Sequence, residues 1–302
     1  MLSRRQMLAL TGASLMARGA SARGLDLHLG VQLWSVKDEL RADFGGTLQR
    51  LAAAGYRRAE LAELGTRDAV QTRDALRAAG LECISAHVRL WELDADLAGI
   101  IARAKTLGLE YLIVPVPWMP ADVLHRALTG DMLQVLSSEL TMEHWGRTAE
   151  MLNRYGLRLR DAGLKLAYHN HNIDFKPFGK EIPYEVLVSS TDPALVWLEL
   201  DCGWVTSAGL DPVVYLRRWS RRYVALHVKD VKAGFVPNFA MQTVPVEVGA
   251  GVMDWPAILT AAWRIGVRQF YVEQEKPFVR PPLESMKISA QYLNRIAREL
   301  HP

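Results

Sequence analysis

Ionisable side chains stand at the ends of short apolar runs along this chain, and they do so repeatedly. Glu60, His87, His169 with His171, Asp201, His227 with Lys229, and Glu273 with Glu275 all occupy such places. One histidine or acid there is ordinarily a hydrogen-bonded structural group. So many together imply a shared task, because burying ionisable groups without compensation costs stability. Pairs two residues apart, such as His227 and Lys229, point to the same side of a strand. Mixed imidazole and carboxylate donors suit one divalent ion. Zn²⁺, Mn²⁺, Co²⁺, Fe²⁺ and Mg²⁺ all remain open, whereas Ca²⁺, which prefers oxygen shells, is disfavoured.

The elements that must position these groups are marked by glycine. Gly55, Gly80, Gly108, Gly163 and Gly266 each follow a helical stretch and precede an apolar residue that opens a β-rich run. Glycine just past a helix end takes the left-handed conformation that other residues resist, so each marks a helix-to-strand junction. Strand-like runs fall at 28–34, 57–61, 82–87, 110–116, 164–171, 196–202, 222–228 and 268–273. Strands alternating with helices in this number predict an α/β protein built as a single (β/α)₈ TIM barrel, whose strand ends converge on one mouth. Residues 117–140, with Trp118, read as a lid, residues 232–246 as a second long loop, and Leu283–Leu300 as a closing helix.

The first 22 residues are read apart from the barrel, which is assigned to 23–302. Ser3-Arg4-Arg5-Gln6-Met7-Leu8 begins a twin-arginine leader; an apolar run follows, and Ala20-Ser21-Ala22 supplies a cleavage site. Export to the periplasm or outside the cell is expected, with no membrane anchor after processing. The leader holds Arg4, Arg5 and Arg18 and no acid, so its removal takes the formal charge from +3 to zero. A neutral body lacks the basic field that nucleic-acid binding needs. Cys83 and Cys202 each lie in an apolar run and read as small buried hydrophobes. The oligomeric state is not legible.

Six strings in order then carry a family resemblance: GVQLWSV at 30–36, AYHNH at 167–171, LELDCGWV at 198–205, LHVKD at 226–230, EVGAGVMDW at 247–255 and YVEQE at 271–275. Over about residues 26–300 the chain resembles the sugar phosphate isomerase/epimerase group of the xylose isomerase-like TIM barrels. The resemblance implies a small carbohydrate substrate whose adjacent carbonyl and hydroxyl oxygens meet the metal. It implies Asp201, His227 and Glu273 as ligands, with His169 where keto-sugar epimerases carry a first glutamate. His171 and Asp174 are alternative sources of that ligand or of a base. Glu273 is also a candidate base, with His171, Lys229 and Glu275 for proton delivery, and Trp34, Glu60, His87 and Trp118 for substrate binding.

Replacing a glutamate by His169 removes one of two matched carboxylate bases. Isomerase or epimerase is therefore ranked first from the resemblance, through an enediolate. A lyase or dehydratase acting on a keto-sugar or 3-keto-glycoside comes second from the residues. A non-catalytic sugar-binding barrel is the alternative of another class, and an endonuclease is disfavoured by the neutral charge.

Overall fold

A computed structural model describes residues 24–65 and 67–301; the twin-arginine segment lies outside them. Eight parallel strands close into a barrel: β1 (Gly30–Gln32), β2 (Arg58–Leu61), β3 (Glu82–His87), β4 (Tyr111–Val114), β5 (Lys165–His169), β6 (Val196–Asp201), β7 (Tyr223–Val228) and β10 (Gln269–Val272). Between the last two, β8 (Asp230–Val231) and β9 (Pro245–Val246) form an antiparallel ribbon. Around the ring each strand pairs with its sequence neighbour, and β10 closes onto β1 through Gly30↔Tyr271 and Val31↔Val272.

All five junction glycines have positive φ, from 74° at Gly80 to 110° at Gly55, and each is followed by the next strand. The polar starts of helices are equally local. Asp43, Asp68, Asp131, Asp211 and Asp254 each accept a hydrogen bond from a backbone N–H of the following turn. The closing helix runs Pro282–Glu299 and packs on Phe44–Ala54, with Tyr56 donating to the Met286 carbonyl.

Inside the barrel, Tyr111, Ile113 and Ala167 pack with Ile84, Trp197 and Val224 in an apolar plug toward the amino-terminal end. That plug leaves the carboxyl-terminal half to polar groups. The segment read as a lid contains two helices, Ala121–Thr129 and Met132–Ser138. One expectation needs correcting. Strand five ends at His169, so His171 lies past the ladder as the residue before a short 3₁₀ turn, Asn172–Phe175. Cys83 and Cys202 are both free thiols. Among the described residues no helix is long and apolar enough to cross a membrane.

Candidate metal centre and active site

Inward-facing positions two residues apart stack the polar groups into two tiers. Strand β6 contributes Glu199 below and Asp201 above; the β7 run contributes His227 below and Lys229 above; the chain leaving β10 contributes Glu273 and then Glu275. His169 lies at the end of β5 and His87 at the end of β3.

The upper tier is organised around an ammonium. Lys229 Nζ lies 3.0 Å from Asp201 Oδ2, 2.8 Å from Glu273 Oε2 and 2.6 Å from Glu275 Oε1. Its stem is buried against Gly203, where an added Cβ would stand 2.7 to 2.9 Å from the lysine carbons. The ammonium also faces the Trp204 ring at 4.7 Å. Burial alone would lower the Lys229 pKa, but the three carboxylates hold it well above its ordinary value. Burial likewise raises Glu273, and the Lys229 and His227 charges pull it well below the carboxylate range. Lys229 thus makes its ion pairs with strand-end acids. Asp230 turns away and accepts from the backbone N–H groups of Val231, Gly249 and Met253 and from Trp255 Nε1, which fastens the EVGAGVMDW loop.

Asp201 does two jobs. Its Oδ1 accepts from Trp204 N and caps helix Cys202–Ser207, while Oδ2 faces the tier. Asn170, between the two histidines of the HNH string, clamps this strand end: Asp201 N donates to Asn170 Oδ1 at 3.0 Å, and Asn170 Nδ2 reaches the Asp201 carbonyl. His171 sits against Trp204, ring centroids 5.3 Å apart, and against His169 at 4.9 Å. Burial, then the nearby Lys229 charge, lowers its pKa to about 3. The imidazole is therefore held uncharged.

The lower tier is a connected network that leaves Glu199 Oε1 without a hydrogen bond. Glu60 Oε1 accepts from Gln32 Nε2 at 2.7 Å and meets His227 Nε2 at 2.8 Å, and Glu60 Oε2 accepts from Ser85 Oγ at 2.6 Å. Glu199 Oε2 lies 3.0 Å from His169 Nδ1, 3.1 Å from His227 Nε2 and 3.3 Å from His87 Nε2. Burial works against a charged His87, yet Glu199 and Glu60 raise its pKa to about 9. Glu60 and His87 were expected at the substrate. Glu60 is instead wholly buried with both oxygens engaged, and His87 is turned into this network.

Sequence reasoning missed Glu199, Asn170, Ser85 and Gly203. Alternation along LELD would have found Glu199, since it shares a face with Asp201. Asp174 is not in the site: it is buried beside outward-facing Tyr168, with neither carboxyl oxygen hydrogen-bonded, and burial raises its pKa well above the usual range. Trp118 packs by its edge on His144, 6.0 Å between centroids, and its backbone N–H donates to Thr148 Oγ1. Trp34 stands at the mouth, where it lines a cavity of about 240 Å³ together with Gln274 and Glu275. The Lys37 ammonium covers its ring at 3.3 Å.

Two groups offer ligand atoms within 4.8 Å of one another: Asp201, His227 and Glu273 above, and His87, His169, Glu199 and His227 below. The residues fit a divalent metal. Nitrogen and carboxylate donors are the right types, Glu199 Oε1 in the lower group is buried without a hydrogen bond, and an ammonium already marks the centre of three carboxylates as a cation's place.

Comparison with known proteins bears on the reaction. The chain is 26% identical over 283 residues to the inosose dehydratase of Geobacillus kaustophilus, covering 84% of this chain and 87% of that one. Among solved structures it is similar to a sugar phosphate isomerase/epimerase from Parabacteroides distasonis, with TM-score 0.71 and 22% identity over 88% of this chain and 97% of that one. It is also similar to the IolI protein crystallised with a zinc atom, with TM-score 0.64 and 14% identity over 90% of this chain and 98% of that one. At those identities the two structures show the fold alone. The relative from Geobacillus kaustophilus is a dehydratase by name, the class of reaction that the residues alone ranked second. The family model described as xylose isomerase-like TIM barrel matches residues 48–296, and the chain belongs to that family.

Proposed function

We propose that the protein is a metal-dependent dehydratase, a carbon–oxygen lyase acting on an unphosphorylated cyclic polyol or sugar that carries a ketone. The observation that carries this reading is the chemical asymmetry of the mouth. An ammonium held by three carboxylates faces neutral His171, where an epimerase needs two matched bases. The similarity to an inosose dehydratase over most of both chains supports the same choice.

Asp201, His227 and Glu273 would hold the ion, with His169 and His171 as candidates for a fourth protein ligand. When bound, the ion supplies Lewis-acid polarisation of a substrate carbonyl, which acidifies the neighbouring C–H. His171 or Glu273 accepts that proton. Lys229 donates a proton to the hydroxyl on the next carbon, the C–O bond breaks, a C=C bond forms beside the carbonyl, and one water leaves. Glu275, partly exposed and 2.6 Å from Lys229, returns a proton from solvent. In the two tiers Lys229 is held by Asp201, Glu273 and Glu275, and His87 by Glu60 and Glu199, so neither cation is free of carboxylates to receive a phosphate.

A substrate comparison tests the reading. Metal-loaded protein should turn over an inosose-like ketone and spare its phosphorylated analogue, and Glu273→Gln should lower turnover by at least about 100-fold. Preference for the phosphorylated analogue would refute the substrate class.

A further inference from the structure

His227 stands between two pairs of carboxylates. Its Nδ1 faces the upper tier, 3.1 Å from Glu273 Oε2 and 3.7 Å from Asp201 Oδ2. Its Nε2 faces the lower tier, 2.8 Å from Glu60 Oε1 and 3.1 Å from Glu199 Oε2. An imidazole that ligates a metal through one nitrogen has the other free to donate a hydrogen bond, and a carboxylate on that nitrogen fixes the tautomer and the ring plane. The same floor reaches a second ring, because Glu199 Oε2 is 3.0 Å from His169 Nδ1.

We propose that Glu60 and Glu199 are positioning residues for the metal centre: as a carboxylate floor they select Nδ1 of His227, and Nε2 of His169, as the nitrogens presented to the ion. This rests on the reading that Asp201, His227 and Glu273 hold the metal. The floor is built for the task. Glu60, Glu199 and His227 are all wholly buried, so water cannot replace a lost carboxylate. Glu60 is fixed from three further directions, by Gln32 Nε2 at 2.7 Å, Ser85 Oγ at 2.6 Å and His87 Nε2 at 3.2 Å. Ser85 is itself within 3.0 Å of the Tyr271 hydroxyl. Strands β1, β2, β3, β6 and β10 thus all converge on the side of one imidazole that is turned away from the metal. A hydrophobic floor would support the ring sterically, but it would leave the choice of nitrogen open.

Cobalt binding tests the proposal. The full mature chain is stripped with a chelator, titrated with Co²⁺ against a competing chromophoric chelator, and its d–d absorption recorded. Wild type should bind one Co²⁺ per chain. Glu60→Gln and Glu199→Gln, which keep volume and remove charge, should keep that stoichiometry but bind about 10- to 100-fold more weakly with a shifted d–d band. The double variant should be weaker than either. Melting of the metal-free variants separates this from a structural role, which would lower Tm and leave affinity and spectrum unmoved. If Glu199→Gln does not fold, Glu60→Gln carries the test, because it acts on the same His227 nitrogen. Affinity and spectrum unchanged in both glutamine variants would overturn the floor alone. A wild type whose cobalt binding survives Asp201→Asn would overturn the metal reading beneath it.

Discussion

A buried carboxylate is worth what its surroundings make of it, and three acids of this chain show the range. Glu273 is held ionised by Lys229 and His227 and is available as ligand or base. Glu199, although buried, is pulled down to about 2, the His227 charge and the His169 contact outweighing burial and the repulsion from Glu60. Asp174, among tyrosines outside the barrel, has no such partner and its pKa rises well above the usual range. A group whose pKa is higher in the folded than in the unfolded chain favours folding most when protonated. Its contribution is fully present below the ordinary carboxylate range and is lost as pH climbs through the folded value. Asp174→Asn carries no titrating proton, so it should gain on wild type as pH rises. At pH 8 the variant should melt higher, by roughly 2–4 °C for each kcal/mol recovered, and the advantage should shrink toward pH 4. Calorimetry at the two pH values checks this, and an advantage that grows on acidification would contradict it.

At the scale of elements, the junction glycines told where strands begin, because a left-handed residue after a helix is a local requirement that only the sequence satisfies cheaply. Strand ends were legible from the ionisable residues that close each apolar run, which brought Asp201, His227 and Glu273 among the candidates; the resemblance then implied them as ligands. What lay two residues deeper was harder. Glu199 sits inside the apolar run Trp197-Leu198-Glu199-Leu200, and its partners come from β3, β5 and β7, so only closure of the barrel brings them together. Glu60 and His87 were visible, but their direction into the lower tier depends on Gln32, Ser85 and Tyr271 from other strands. Asp174 was three residues from His171, and the 3₁₀ turn between them carries it to the other side of the sheet. The conspicuous Asp230 explains a whole string: one carboxylate gathers the N–H groups of Gly249, Met253 and Trp255, tying a loop to the strand that bears His227 and Lys229.

For the whole molecule, closure of eight strands turns scattered residues into one acidic mouth above an apolar plug. We propose that the twin-arginine segment is an export leader, which bears on where that mouth works. Export by a route that carries folded proteins would allow the metal to be loaded before the chain leaves the cytoplasm. The mature chain should begin at Arg23, after Ala20-Ser21-Ala22. Mass spectrometry of the protein recovered from its native compartment reads this directly, and a cytoplasmic chain with residues 1–22 intact would contradict it. Elimination of water from a keto-polyol is read from the product that the metal-loaded enzyme forms in D₂O. Proton NMR and mass spectrometry should show a product lighter than the substrate by one water that has lost the proton of the carbon beside the carbonyl, and no such product with Asp201→Asn. A product isomeric with the substrate, formed with exchange but without loss of water, would contradict it.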